Sequence, residues 1–212
     1  MPLRSAVKVI ACATVIDELE PLLPPDVDVE ELDFGLHTNP DHLTEMLQEA
    51  IDATPPSAEV IALGYGLCSN AVLGLCSETC TLVVPRVDDC IGIFLGSSAA
   101  YGEQRASEPG TYYLTRGWIE AGDGPFAEYE RTVERYGEEK ADWVMEKMLG
   151  RYTRLALVDT GQYEIDEYRA YAQETAEQFG LRYEEIPGST ALLRQMVEGP
   201  WDEAFVVAPP GR

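Results

Sequence analysis

Short apolar runs separated by amphipathic stretches organise the first half of the chain. The run at 59–65 is apolar without alternation, which is typical of a central parallel strand covered on both faces. An apolar run at 7–11 and another that begins at Thr81 also predict buried strands. Asn39 followed by Pro40 predicts the start of a helix, and apolar residues then recur at helical spacing: Leu43, Met46, Leu47, Ala50 and Ile51.

The same alternation continues along the rest of the chain. A short helix over 17–23 and a strand over 27–34 are predicted before Asn39. In the second half, the pattern predicts strands and helices in turn: a strand at 155–158, a helix at 165–179, a strand at 181–186, a helix from Ser189 to Val197 and a strand at 204–207. Between the halves, the pattern predicts an edge strand at 112–114 and a charged, largely helical segment at 125–149.

Repeated strand-helix units predict an α/β fold. Such units form right-handed crossovers, and these produce a parallel sheet with helices on both faces. We expect two Rossmann-like lobes, residues 1–122 and 151–212, joined by a helical connector or lid at 123–150. One continuous sheet is the alternative. Both arrangements place the carboxyl ends of the parallel strands on a common edge, where α/β folds bind ligands.

The composition excludes some classes of partner. The chain of 212 residues has 38 acidic against 15 basic residues and a formal net charge of -23, which disfavours nucleic acid and anionic membrane surfaces. A strongly acidic, lysine-poor surface is also typical of a halophile with a high-salt cytoplasm. We find no apolar run of about 18 residues and no signal-peptide pattern, so a cytoplasmic protein is expected.

Three cysteines follow predicted strands and suggest a metal site. Cys12, Cys68 and Cys90 come after the runs at 7–11, 59–65 and 81–84, so parallel strands would bring them to one edge. Three thiolates suit zinc or a [4Fe-4S] cluster and leave one coordination position open to substrate. The alternative is that these cysteines are buried core residues. Cys76 and Cys80 are expected to be small buried hydrophobic residues.

The sequence does not decide between zinc and an iron–sulfur cluster. Neither a CxxC pair nor a ferredoxin-like run is present. Asp88, Asp89 and His37 offer harder donors beside the thiols, which favours zinc. His37, after the second strand, is a candidate fourth ligand or proton donor, and Arg86 is a candidate for holding an anionic substrate or stabilising a thiolate. The alternatives are an ordinary loop histidine and a surface salt bridge.

Small residues at strand ends in the second half are candidate ligand-binding positions. Gly188 and Ser189 open a predicted helix, whose N–H groups suit a carboxylate or phosphate. Gly161 ends the turn that begins with Asp159. The alternatives are a serine N-cap and an ordinary turn at the end of a strand. No GxGxxG or Walker pattern supports nucleotide binding.

Several motifs in order resemble the uncharacterised family catalogued as domain of unknown function 1638. The matching segments are Leu36-His37 with Pro40 and Leu43, Tyr65-Gly66-Leu67-Cys68, Pro85-Arg86, Asp89-Cys90-Ile91, Leu95-Gly96-Ser97, Pro109 to Thr115, Asp159-Thr160-Gly161 and Gly188-Ser189. Family members usually have histidine at the position of Asp88 and glycine at that of Ser69. Members are often encoded near corrinoid-dependent methyltransferases, so the resemblance implies a task in one-carbon or methylamine metabolism.

Three function classes therefore follow from the sequence. The first is a metalloenzyme that transfers methyl or sulfur groups to a small-molecule substrate. The second is a non-catalytic carrier of a metal or corrinoid for a partner methyltransferase. The third is a plain α/β protein whose cysteines are structural.

Overall fold

The computed structural model describes residues 6–25, 27–122 and 124–211. Residues 1–5 lie outside the described residues, so the structure does not bear on the prediction that the chain begins without a signal peptide. Within the described ranges, no helix is both long enough and apolar enough to span a bilayer.

Strands and helices alternate along the chain as the sequence predicts. The strands are β1 (Val7–Cys12), β2 (Asp28–Leu32), β3 (Val60–Gly64), β4 (Thr81–Pro85), β5 (Thr111–Leu114), β6 (Arg154–Asp159), β7 (Arg182–Pro187) and β8 (Phe205–Ala208). The helices are α1 (Ala13–Leu19), α2 (Pro40–Asp52), α3 (Cys90–Phe94), α4 (Ser98–Ser107), α5 (Arg116–Ala121), α6 (Pro125–Tyr136), α7 (Glu138–Leu149), α8 (Asp166–Gln178) and α9 (Ala191–Glu198).

The chain divides into two units. The first comprises residues 1–101 and 188–212, and the second is the continuous segment 102–187. Each unit has its own sheet, whereas one continuous sheet was the alternative considered above. This division differs from the predicted lobes, because the final helix and strand belong to the first unit: β8 pairs with β4, and α9 packs against β3 and β4.

The first unit contains a five-stranded sheet in the order β2-β1-β3-β4-β8. Strands β1 to β4 are parallel, which confirms the predicted α/β class. Strand β8 is antiparallel to β4, an arrangement that is common for an edge strand on a parallel sheet. All five residues of β3 are buried, which explains why this segment lacks alternation.

Helix α2 covers the first sheet with the apolar stripe that the sequence shows. Its Asn39 N-cap accepts a hydrogen bond from the His42 N–H at 3.3 Å, as predicted. The buried stripe of the helix packs with apolar side chains of β1 and β3; the helix residues are Leu43, Leu47, Ala50 and Ile51, and the strand residues are Ile10, Ile61 and Leu63. Burial of this stripe stabilises the helix more than its intrinsic propensity does.

The second unit contains a three-stranded parallel sheet in the order β5-β6-β7. The predicted edge strand at 112–114 is β5, and the predicted helical segment at 125–149 forms α6 and α7. Leu155 and Leu157 of β6 form the centre of the core, against which apolar residues of α7 and α8 pack: Met145, Leu149, Ala172 and Ala176.

A buried arginine ties the strands of this second sheet together. The Arg154 side chain is 3% exposed, and its guanidinium donates to Thr111 Oγ1 (2.8 Å), Gln104 Oε1 (2.8 Å) and Glu184 Oε2 (3.1 Å). Glu184 also accepts a hydrogen bond from Arg182 at 2.7 Å. A buried arginine needs partners for its five N–H donors. The three acceptors of Arg154 come from three different elements, α4, β5 and β7.

Candidate functional site

The end of β1 places Cys12 directly before a helix. Cys12 is the last residue of β1, and α1 begins at Ala13, earlier than the predicted helix at 17–23. The Cys12 sulfur lies 3.1 Å from Thr14 Oγ1. The side chain is partly buried, so the thiol faces a restricted space at the carboxyl edge of the first sheet.

The loops that follow β3 and β4 are in direct backbone contact. The Leu67 N–H donates to the Val87 carbonyl at 2.8 Å, and the Cys68 N–H donates to the Asp88 carbonyl at 2.9 Å. Gly66 permits this approach, because a Cβ at that position would lie 2.7 Å from both Val87 O and Asp89 N. The two loops therefore hold Cys68 beside the segment that leads into Cys90.

The chain after Leu67 adopts an unusual conformation. Cys68, Ser69 and Asn70 have φ values of 45°, 57° and 74°. Non-glycine residues enter this left-handed region at a conformational cost, and such residues cluster at functional sites. The family that the sequence resembles usually has glycine at the position of Ser69, which is the residue that this φ favours.

Asp89 fixes the start of α3 and thus the position of Cys90. One carboxylate oxygen accepts the Ile91 N–H at 3.0 Å, and the other accepts the Tyr101 hydroxyl at 3.0 Å. Burial raises the pKa of Asp89, although both hydrogen bonds lower it. Cys90 is the first residue of α3 and is partly buried.

Tyr65 follows β3 at the same edge of the sheet as the three cysteines. Its side chain is 3% exposed, and within the described part of the chain its hydroxyl has no hydrogen-bond partner. Burial raises the pKa of Tyr65, and the charges of Cys12, Cys68 and Cys90 raise it further. Tyr65 and the three cysteines therefore belong to the same edge of the first sheet, where β1, β3 and β4 end.

Burial favours the protonated form of two of these thiols, Cys12 and Cys68. Burial, followed by the charge of Cys12, raises the pKa of Cys68 to about 12. Burial also raises the pKa of Cys12, although the Thr14 hydroxyl opposes this shift. Three soft donors and one orphaned hydroxyl fit the ligand chemistry of zinc or an iron–sulfur cluster. No three His, Cys, Asp or Glu side chains of the described residues already have metal-site geometry, so metal binding stays a prediction.

The structure places His37 and Arg86 in local backbone contacts. His37 Nδ1 lies 2.5 Å from the Phe34 carbonyl, and its ring packs on the Phe34 ring at 4.6 Å between centroids. The Arg86 Nε donates to the Phe205 carbonyl at 2.9 Å, and the Arg86 N–H donates to the Ala204 carbonyl at 2.8 Å. Arg86 thus secures the start of β8, and its catalytic role stays a prediction.

Two of the three candidate ligand-binding residues, Gly161 and Ser189, form internal hydrogen bonds. In the second unit, the Gly161 N–H donates to Asp159 Oδ1 at 2.8 Å and closes an Asx turn. In the first unit, which includes Gly188, the Ser189 N–H donates to the Phe94 carbonyl at 2.7 Å. Gly96 faces Ser189 so closely that a Cβ there would lie 2.5 Å from the serine Cβ. The N–H groups of Gly161 and Ser189 are thus engaged within the fold, and a ligand-binding role for Gly161, Gly188 and Ser189 stays a prediction.

The remaining cysteines differ from the three at the edge of the first sheet. Cys80 is buried, and its thiol donates to the Ala58 carbonyl at 3.2 Å. Cys76 is exposed, and Gln48 binds its backbone N–H and carbonyl. None of the five cysteines forms a disulfide bond.

Sequence reasoning missed Tyr65. An aromatic residue that follows a buried strand has the pattern of an ordinary core residue, so the pattern alone gives no sign of an unsatisfied hydroxyl. The available signal was a hydroxyl-bearing residue three positions before Cys68, at the edge where the strands end.

Comparison with known proteins gives one match. The model of a family described as protein of unknown function (DUF1638) matches residues 31–197, a range that contains Tyr65, Cys68 and Cys90 and excludes Cys12. No curated protein and no solved structure is significantly similar to the chain. The match covers most of the sequence and agrees with the motif resemblance, and the chain therefore belongs to the DUF1638 family.

Proposed function

We propose that the carboxyl edge of the first sheet binds a soft metal centre through Cys12, Cys68 and Cys90 and serves methyl or sulfur transfer to a small molecule. One observation supports the proposal above all others. Three cysteines at or after the ends of three neighbouring parallel strands share one edge of the sheet with the buried Tyr65 hydroxyl, which has no hydrogen-bond partner in the described part of the chain.

Cys80 shows how a structural cysteine is accommodated in the same unit. It is buried, and the backbone carbonyl of Ala58 accepts its thiol proton. Buried hydroxyl groups in proteins are normally satisfied in the same way. Tyr65 breaks this rule at the sheet edge that carries three thiols, and an unsatisfied buried donor costs about 1–3 kcal/mol. A ligand that accepts the Tyr65 hydrogen bond would remove that cost.

The donor set indicates the chemistry. Three thiolates hold zinc or one iron of a cluster and leave a position for a further ligand. When bound, such a metal lowers the pKa of a coordinated thiol or water and makes it nucleophilic near neutral pH. The Tyr65 hydroxyl is the group of this chain that is placed to orient or protonate a ligand at that position.

The backbone supports a functional role for the loop after β3. Three consecutive residues with positive φ keep Cys68 at the edge of the sheet, at a cost of about 1–3 kcal/mol each. A loop with only a connecting role would relax to an ordinary turn. Backbone hydrogen bonds to the loop after β4 stabilise this conformation.

Metal analysis of the full-length protein, purified anaerobically, tests the proposal. We expect bound metal that is lost in Cys68→Ser and in Cys90→Ser, whereas Cys80→Ser, the matched buried control, keeps it. A visible absorption band would identify a cluster, and its absence with bound zinc would identify zinc. Full metal retention in both Cys68→Ser and Cys90→Ser would refute the ligand assignment, and metal-free protein would favour structural cysteines.

A second candidate, a metal or corrinoid carrier for a methyltransferase, is favoured by two exposed apolar residues beside the site. Leu67 is 40% exposed and Leu73 is 60% exposed, on either side of Cys68. Exposed apolar side chains next to a metal suit a protein partner. Leu73→Ser separates the two functions: a carrier would lose transfer to its partner while keeping its metal, and an enzyme would keep both metal and turnover.

A further inference from the structure

A cavity in the second unit has no part in the proposed function. It has a volume of about 380 Å³ and lies among α6, α7 and the end of α8. This volume is at the lower end of the range of small-molecule pockets, about 300–1,000 Å³. Its lining combines three aromatic rings, two carboxylates and an apolar base, and it contains neither lysine nor arginine among the described residues.

The aromatic rings of the cavity belong to a continuous chain of ring contacts. Tyr129 meets Phe179 edge to face at 5.2 Å, and Phe179 contacts Phe126 at 5.2 Å. Phe126 meets Tyr112 at 5.1 Å, and Tyr112 meets Tyr152 at 5.5 Å, both edge to face. Edge-to-face pairs fix ring orientation. The three rings that line the cavity, Tyr129, Phe179 and Tyr152, are therefore held in place before any ligand arrives.

The two carboxylates lie one helical turn apart on the same face of α7. Asp142 and Glu146 both line the cavity, and the Tyr129 hydroxyl donates to Asp142 Oδ1 at 3.0 Å. This bond raises the pKa of Tyr129. It also orients the carboxylate at the wall of the cavity beside a ring face, so negative charge and aromatic quadrupole act on the same space.

The base of the cavity is apolar. Met145, Leu149 and Leu181 are 4%, 7% and 9% exposed and line it from below. Apolar groups on a guest would gain from burial against them. A hydrated metal ion would lose its water shell there without compensation, and an anion would be repelled by the two carboxylates.

We propose that this cavity binds a small organic cation of the alkylated ammonium class. Aromatic faces attract such a cation through the ring quadrupole, which is how quaternary ammonium groups are recognised. The Asp142 carboxylate neutralises its charge, assisted by Glu146, which also pairs with the exposed Lys147 at 3.6 Å. The apolar base contacts its alkyl groups. A neutral apolar ligand would need the rings and the base but would gain nothing from the carboxylates.

Calorimetric titration of the full-length protein with two probes of equal shape tests this proposal. Choline is the cation, and 3,3-dimethylbutan-1-ol is its neutral carbon isostere. We expect choline to bind at least about tenfold more tightly, since a desolvated cation–π contact and a carboxylate distinguish the two. Equal affinity would establish a merely apolar cavity, and a lack of choline binding would also overturn the proposal.

Matched variants locate the binding site. Asp142→Asn keeps an oxygen acceptor for Tyr129 and removes one charge, and Tyr152→Leu removes one ring face. Each should weaken choline binding by about tenfold. Glu139→Gln on α7 and Tyr136→Leu, whose ring is 66% exposed, are the controls outside the cavity lining and should leave the affinity unchanged. Equal losses in the controls would refute the assignment of the site.

Discussion

Both units bury several polar side chains, and one from each, Arg154 and Tyr65, stand in opposite situations. In the second unit, Arg154 is 3% exposed and bonds to Thr111, Gln104 and Glu184. In the first unit, Tyr65 is equally buried, yet within the described structure its hydroxyl has no partner. Arginine is far more expensive to bury than tyrosine, so the fold satisfies the costlier group and leaves the cheaper one unsatisfied.

The difference teaches how to separate support from function among buried polar groups. A satisfied group connects the elements around it, as Arg154 connects β5, β6 and β7. An unsatisfied group lowers stability and persists where a ligand supplies the missing partner. On this view Arg154 is an example of a structural polar group, and Tyr65, at the sheet edge that carries the three cysteines, is an example of the other kind.

The largest effect is expected at the satisfied group. Arg154→Ala removes three hydrogen bonds and a buried side chain. It should lower the free energy of unfolding by about 3 kcal/mol. This loss is near the low end for a broken buried ion pair, because Glu184 is 39% exposed and water can solvate it once Arg154 is gone. Urea unfolding, followed by amide exchange in β5 to β7, measures it. Arg182→Ala is the control: this arginine pairs with the same Glu184 but is 51% exposed, so its removal should cost far less stability than Arg154→Ala. Similar losses of stability in Arg154→Ala and Arg182→Ala would mean that the burial of Arg154 adds nothing to the stability of the fold.

The second prediction disturbs the loops of the first unit. Gly66→Ala places a methyl group 2.7 Å from the backbone of the neighbouring loop, which side-chain rotation cannot relieve. We expect a loss of about 2 kcal/mol, typical of overpacking, with metal binding weakened as Cys68 moves from Cys90. Thermal unfolding and metal titration measure the two effects.

Gly102→Ala is the control for that substitution. It lies in α4 with no atom within 4 Å of the added Cβ, and alanine favours the helix by about 1 kcal/mol. A Gly66→Ala protein as stable as Gly102→Ala would show that the two loops are not held together by their close backbone approach.

Removal of the unsatisfied hydroxyl should have the opposite sign from removal of a satisfied one. Tyr65→Phe should raise the free energy of unfolding of the ligand-free protein by about 1 kcal/mol, because no bond is lost and a buried polar group disappears. Tyr101→Phe loses the bond to Asp89 and should lower it by about 1 kcal/mol. Denaturant melts of both variants provide the comparison. Destabilisation by Tyr65→Phe would reveal that the hydroxyl has a structural partner.

The smallest effect concerns pH and the second unit. Hydrogen bonds from Arg182 and Arg154 lower the pKa of Glu184 in the folded protein. A carboxyl group with a lowered folded pKa adds stability that is present above its unfolded pKa and disappears as pH falls through the folded pKa. The urea concentration at the unfolding midpoint should therefore decrease as the pH is lowered from about 5 to about 3, a range that covers the pKa of an ordinary glutamate and values below it. The decrease should be less steep in Arg182→Ala. An identical pH profile in that variant would contradict the assignment.

Local elements were predictable because their signals are local. The unbroken apolar run of β3 reflects burial on both faces, and the Asn39-Pro40 start of α2 reflects capping chemistry within four residues. The assignment of α9 and β8 to the first unit was not predictable, because it depends on pairing between residues such as Leu82 and Ala208. Nothing in the sequence near β8 specifies so distant a partner.

The candidate site was predictable in part for the same reason. The rule that parallel strands end at one edge correctly assigns Cys12, Cys68 and Cys90 to the ends of neighbouring strands, and their meeting at a metal stays a prediction. It gives no information on Tyr65, since whether a buried hydroxyl finds a partner depends on all the surrounding elements. Arg154 was missed on the same ground, because its partners come from α4, β5 and β7.

The pairing of β8 with β4 has a consequence for synthesis on the ribosome. Residues 102–187 are contiguous and emerge complete, whereas the first sheet waits for residues 205–208 before its β4 edge is covered. Until then the growing chain exposes an apolar strand edge, a template for pairing with other chains. Translation that halts shortly before residue 205 would release a product with a finished second unit and an aggregation-prone first one.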